Sequence, residues 1–417
     1  MDIAEPPGPD SPVTVADANR YHALDALRAI MMLLGVVIHT AISYGAAPSE
    51  AYWPYKDAAT TPLCDLLVAW IHSFRMPLFF VLAGFFAALL ADRRGLAGML
   101  KNRAKRILLP FLAALILLTP LIRMAFLFTW RAGSYRMPES IAAMLDRGES
   151  PPIQTMHLWF LYQLLYFYAA AALLSLAAGK LPGAFRGRFS EGFRALAGNP
   201  FARPFALGLL TMITVLPNPL GVVGTSISMA PDPAILLANG AFFGFGWCFY
   251  GCRDLLGGWK RLAWTQVLLA TFLVIPIQIA AMILLFTRGE TARPAAWIVS
   301  AGATGLQSWL MIFGITGLFL RYADFHSRPL RYLTDASYWV YLAHLPLVIF
   351  MTGLFATLPL PALVKMTAVT SISVALLLAS YHVLVRPTIV GEWLGGVRHP
   401  IFRRGSAIEP AAEPAAS

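Results

Sequence analysis

The chain is poor in charge. Of its 417 residues 13% are Asp, Glu, Lys or Arg and 58% are hydrophobic, whereas soluble domains carry about 25% charged residues. Several soluble domains in series are therefore excluded, and apolar runs recurring along the whole length favour one large bundle. The formal net charge of +11 does not imply nucleic acid, because the basic residues lie between apolar runs rather than on one continuous basic segment. Cysteine is scarce as well. Cys64, Cys248 and Cys252 make no disulfide framework, and Cys248 and Cys252, one helical turn apart, read as small buried helix residues rather than as a metal pair, so no metal is expected. The chain shows no internal repeat. Residues 1–20 are Pro-rich and acidic without an apolar core, so they are not read as a cleaved signal peptide. They are expected to be a disordered cytoplasmic N-terminus, and residues 391–417 a largely disordered cytoplasmic tail.

What the chain does have is long apolar stretches. A spanning helix needs about 20 mostly apolar residues. Ten stretches qualify within residues 21–390, at 26–46, 65–91, 107–129, 157–178, 204–223, 234–255, 263–287, 296–320, 337–357 and 361–385. The expected fold is an all-α integral membrane protein, a single bundle of about 10 transmembrane helices. Lys and Arg in the loops set the direction. With the N-terminus in the cytoplasm, the inner segments hold 22 of the 32 Lys and Arg residues and the outer loops six. That bias places both termini on the cytoplasmic side of a bacterial inner membrane.

Ionisable groups at membrane depth cost at least ~2.5–3.5 kcal/mol each, which makes them functional candidates. The first span reads Asp25-Ala-Leu-Arg28, and His39 follows eleven residues after Arg28. At about 100° and 1.5 Å per residue, Arg28 and His39 share one stripe roughly 16 Å apart, with Asp25 close to the same line. Gly35 lies on that side and permits close approach of a neighbour. The second span enters from outside with His72-Ser-Phe-Arg75, two ionisable groups on one helical face. The fourth also starts outside, with His157-Leu-Trp159-Phe-Leu-Tyr162, and Arg123 lies in the outer half of the third. His39, His72, Arg75, Arg123 and His157 are thus expected in one outer layer, either as polar contacts between helices or as a functional cavity. His344 and His382 are expected nearer the cytoplasmic side. At the inner end, Arg103-Ala-Lys-Arg106 precedes the third span. It serves as positive-inside charge or as a bidentate site for phosphate or carboxylate.

These residues resemble the membrane-bound acyltransferase family 3. Arg28 and His39 in LDALRAIMMLLGVVIH match its first-helix signature, MPLFFVLAGFF from Met76 to Phe86 its second helix, Arg103 and Arg106 its Arg-x-x-Arg motif, and DASYWVYLAHLPLV from Asp335 to Val348 its late element. HLWFLYQLLYFY, His157 to Tyr168, is similar to the branch that contains the osmoregulated periplasmic glucan succinyltransferase. Arg75 stands where many relatives have His or another polar residue. The resemblance implies transfer of an acyl group, of acetyl or succinyl class, from cytoplasmic acyl-coenzyme A to a hydroxyl of an extracytoplasmic glycan or lipid-linked carbohydrate. The acyl-coenzyme is a co-substrate, and no tightly bound cofactor is implied.

On that reading Arg103 and Arg106 bind the coenzyme phosphates, and Asp25 and Arg28 line the passage beside them. His39 acts as general base on the acceptor hydroxyl, by direct transfer or through an acyl-His39 intermediate. Arg75 or His72 stabilises the oxyanion. His157, Trp159, Tyr162 and Arg123 contact the acceptor, the two aromatics by stacking or else as interfacial belt residues. Two other classes remain open: a transporter or flippase of a glycan or small anion, and a glycan-binding scaffold without turnover.

Overall fold

Apolar runs in a membrane satisfy their backbone groups by coiling on themselves. The computed structural model describes residues 21–48, 53, 55–133, 139–147, 153–287 and 293–395. Among them every regular element is helical: α1 (His22–Tyr44), α2 (Pro62–His72), α3 (Arg75–Arg103), α4 (Leu109–Ala132), α5 (Glu139–Asp146), α6 (Trp159–Gly179), α7 (Gly183–Gly198), α8 (Ala202–Val215), α9 (Pro233–Phe249), α10 (Ala263–Leu269), α11 (Ile275–Thr287), α12 (Arg293–Tyr322), α13 (Arg328–Phe355), α14 (Ala362–Ser380) and α15 (Ile389–Gly395). Short π-helical turns join α3 to α4 at Ala104–Leu108 and α10 to α11 at Ala270–Val274. The expected disordered N-terminus and the tail beyond residue 395 lie outside the described residues, and the first tail residues belong to α15.

Among the described residues eight helical stretches are long and apolar enough to cross a membrane. One of them, Pro62–Ala132, has 71 residues. At 1.5 Å per residue it would reach about 107 Å if straight, more than three times a ~30 Å hydrocarbon core. It divides at Gly95, whose φ of 69° and ψ of 168° are non-helical. Gly95 thus separates the second and third apolar runs, and the 14-residue α8 covers the first part of the fifth. α8 stops at Val215 rather than at 223: Leu216 keeps helical angles and bonds to the Met212 carbonyl, but Pro217 and Pro219 have no N–H to carry the ladder on. This is an all-α integral membrane protein.

α12 lies at the centre, with 78% of its apolar window buried, against 22% for Ala263–Thr287 on the outside. Ile116, Phe272 and Phe286 point outward and exposed, as lipid-facing side chains do. α3 and α9 meet backbone to backbone: a Cβ at Gly84 would strike the Phe243 carbonyl, and one at Gly246 the Val81 carbonyl. Small residues permit this approach where lipid offers no hydrophobic driving force. α1 and α13 run side by side in one direction. Thr334 Oγ1 donates to the Asp25 carbonyl near their starts (3.4 Å), and Val36 packs with Val340 and Val348 further along. This pairing brings the His39 level of α1 to the His344 level of α13.

Candidate active site

The second span is broken at membrane depth. Pro77 has no N–H and its ring crowds the carbonyl four residues back, that of Ser73. The chain accordingly leaves the helix at Ser73 and Phe74, and the Ser73 carbonyl accepts from Ser308 Oγ at 3.1 Å instead. His72 therefore ends α2 and Arg75 opens α3, where the sequence suggested one continuous helix. Arg75 turns inward and is 7% exposed. Its Nε donates to the Met31 carbonyl at 3.0 Å. The guanidinium lies against Gly35, in the space that a Cβ there would fill. The expected close approach at Gly35 is thus made by Arg75.

A second proline positions a histidine. Pro346 lies inside α13 and cannot donate to the Leu342 carbonyl. His157, in the turn before α6, fills that role: its Nε2 is 2.9 Å from Leu342 O. A carbonyl only accepts, so Nε2 carries the proton and Nδ1 the lone pair. Tyr341 secures the same turn by donating its hydroxyl to the His157 carbonyl at 2.8 Å. His344 Nδ1 donates to the Tyr341 carbonyl at 2.7 Å, which leaves its Nε2 with the lone pair by the same reasoning.

The rings converge. His344 stands 5.2 Å from His39 and 5.1 Å from His157, centroid to centroid. Among the described residues His39 Nδ1, His157 Nδ1 and His344 Nε2 are buried and find no hydrogen-bond partner. His344, Arg75, His157 and His72 are the groups that interact electrostatically with His39. His39 and His72 keep accessible surface, whereas Arg75, His157 and His344 are buried. Four of the five residues expected in one layer are therefore together. Arg123 is a partly buried side chain of α4. His344, expected nearer the inner side, is at the centre of the cluster. The reason is that α13 begins at Arg328 rather than at 337, which puts His344 past the midpoint of its 28 residues.

Described residues between α1 and α2 pack on this cluster. Trp53 stacks on His39 at 5.5 Å and 23°, and its indole N–H donates to Ser43 Oγ at 2.8 Å. The Asp57 carboxylate accepts from Lys365 Nζ at 2.9 and 3.2 Å, with both side chains almost wholly buried. Lys365 also donates to the Ala356 carbonyl at 3.1 Å. Burial and the neighbouring Asp57 push the Tyr55 phenol well up, so it stays neutral.

The end of the bundle that carries Arg28 is basic. Arg106 interacts with Arg103 and Arg94 across the π turn between α3 and α4. The Arg103 guanidinium lies 5.1 Å from the Tyr168 ring centre, and the Arg106 carbonyl accepts from Tyr338 Oη at 2.9 Å. On α1, Arg28 pairs with Asp25 at 3.3 Å and lies over Phe86. The Arg28–His39 stripe thus joins this basic end to the histidine cluster.

A family model for an acyltransferase domain, that of the acyltransferase 3 family, matches residues 21–382. The chain belongs to the acyltransferase 3 family. Among curated relatives, glucans biosynthesis protein C of Escherichia coli strain SMS-3-5 is 39% identical over 102 residues, 24% of this chain and 26% of the relative. The protein of the same name from strain K12 is 38% identical over the same length, with the same coverage. These matches span about a quarter of each relative. No solved structure matches.

Within this acyltransferase 3 chain, other candidate residues lie apart from the histidines. Trp159 is buried in the main core, 6.2 Å from the Phe80 ring. Tyr162 shares a 2.7 Å hydrogen bond with Tyr166, donates to the Met229 carbonyl at 2.7 Å and stacks on Phe111. His382 packs near Tyr332. Among the described residues no group of three His, Cys, Asp or Glu side chains is arranged to hold a metal. The sequence reading missed His344 and Trp53. Pro346, two residues after His344, was the available signal for the first. Nothing local marks the second.

Proposed function

We propose that this protein is a membrane O-acyltransferase that moves an acyl group, of acetyl or succinyl class, from acyl-coenzyme A at the cytoplasmic face to a glucan hydroxyl on the other side. Both termini are then cytoplasmic, in the inner membrane of a bacterium. The observation that carries this reading is the convergence of His39, Arg75, His157 and His344 at membrane depth in a chain matched over residues 21–382 by the acyltransferase 3 family. The acceptor class is proposed from the name of the E. coli relatives.

His39 takes the proton of the acceptor hydroxyl as its oxygen attacks the thioester carbonyl. A C–O bond forms, the C–S bond breaks, and the proton passes to the departing thiolate. Arg75 is tied by Nε to Met31, and its planar fork carries four further N–H donors. Directed at the oxyanion, such a donor contributes about 2.7–4 kcal/mol. Arg94, Arg103 and Arg106 meet the coenzyme phosphates, for which guanidinium forks are suited.

The test uses purified protein, labelled acyl-coenzyme A and linear or cyclic glucan. Acylated glucan is expected from the wild type and not from His39→Ala. Movement of glucan across a proteoliposome without acylation would overturn the enzyme reading, and near-normal transfer by a folded His39→Ala protein would overturn the base assignment.

A further inference from the structure

His344 lies outside the mechanism above, yet three observations single it out. Its Nδ1–H is committed to the Tyr341 carbonyl at 2.7 Å, so its lone pair resides on Nε2. Among the described residues that Nε2, which is buried, finds no partner, and neither does Nδ1 of His39. The two rings are 5.2 Å apart, centre to centre. An N–H···N bond of about 2.9 Å between two imidazoles, each nitrogen lying roughly 1.1 Å from its ring centre, puts the centres about 5.1 Å apart. A rotation of the His39 ring is then enough to join the two orphaned nitrogens. Buried polar atoms without partners are uncommon, and two on rings in contact call for a state in which they pair.

We infer that His344 is the positioning residue of the base, accepting an N–H from His39 on Nε2. The proposal rests on the transfer reading given above. The neutral His39 that begins the reaction has one N–H and one lone pair. Bonding the N–H to His344 turns the lone pair of the other nitrogen towards the acceptor. When the acceptor O–H bond breaks and its proton goes to that nitrogen, His39 becomes an imidazolium. Its N–H to His344 is then charge-assisted and roughly twice as strong as before. The interaction thus strengthens as the transition state is approached, which is what makes it accelerate the reaction rather than only bind. When the proton passes on to the thiolate, both rings return to their neutral forms and nothing else is consumed. Two described neighbours of His39 are less suited to this place. Arg75 only donates, and His157 interacts electrostatically with His39 without a ring contact between the two, its own ring packing on His344 and Tyr341.

The full-length protein in detergent or proteoliposomes decides the matter, with wild type, His344→Ala, His344→Gln and His344→Leu in one assay. His344→Ala is expected to lose on the order of 100-fold in kcat with little change in KM for the coenzyme thioester, a pattern of lost transition-state interaction. His344→Gln, whose side-chain oxygen also accepts an N–H, should recover part of that loss, and His344→Leu none. Added imidazole should restore His344→Ala, whereas pyrrole, of the same shape but without the lone pair, should not. Equal restoration by pyrrole, or near-normal kcat in folded His344→Ala, overturns the proposal. Failure of the transfer reading itself is seen separately, as absence of activity in the wild type. If His344→Ala does not fold, the contrast between Gln and Leu carries the decision.

Discussion

Pro346 and His157 share one carbonyl. The Leu342 oxygen that Pro346 leaves without a helical partner is 2.9 Å from His157 Nε2. A residue that weakens a helix thereby orients a ring beside the candidate base. Pro346→Ala supplies the missing N–H and competes for the carbonyl. The protein is expected to melt at a higher temperature, since proline in a helix interior costs about 3 kcal/mol. It should nevertheless transfer acyl groups about tenfold more slowly, a loss near 1.4 kcal/mol of transition-state stabilisation. Thermal unfolding and turnover measured on one preparation check both halves.

The guanidinium of Arg75 fills the place of a Gly35 side chain. Gly35→Ala has the better intrinsic helix former, by about 0.8–1 kcal/mol, yet it must push Arg75 off the Met31 carbonyl. Activity should drop by at least the ~100-fold seen when an oxyanion donor is removed, while yield in the membrane stays close to normal. Arg75→Lys should not rescue, because an ammonium lacks the fork. Gly35→Ala with normal activity would show that Arg75 does not need that space.

Asp57 and Lys365 form a buried pair. Removal of one partner leaves the other charged and unpaired, at a cost of about 3–5 kcal/mol. Asp57→Asn and Lys365→Met should each lower the melting temperature strongly, and the double variant should be much closer to wild type. Equal, additive losses would mean that the two do not act as a pair.

The arginines at the basic end of the bundle make a kinetic prediction. Arg103→Ala and Arg106→Ala are expected to raise KM for the coenzyme thioester more than they lower kcat, as for contacts made equally in the ground and transition states. Titration with dephospho-coenzyme thioesters separates which phosphate is met: a variant that has lost its phosphate contact no longer discriminates between the two donors.

The apolar segments are legible in sequence because hydropathy reports burial in lipid or protein along each run, whatever the neighbours do. His39, His72, Arg75 and His157 are legible for a related reason: ionisable groups stand out against apolar runs. What escapes is set by contacts between distant segments. The break at Ser73 needs Pro77 together with Ser308, 235 residues away. His344 needs the true start of α13, and a run of mixed polarity such as Arg328–Ala336 does not show whether it is loop or helix. The grouping of Trp53 with His39 depends on a loop folding back, which no periodicity records.

Trp53 on His39 also has an optical consequence. A protonated imidazole accepts an electron from an excited indole far more readily than a neutral one, so the emission of this tryptophan reports the charge of its neighbour. The chain has 11 tryptophans, and the difference between wild type and Trp53→Phe isolates the one that matters. Proton uptake by the base, ordinarily inferred from rates, becomes visible in the resting protein and during turnover as a change of light.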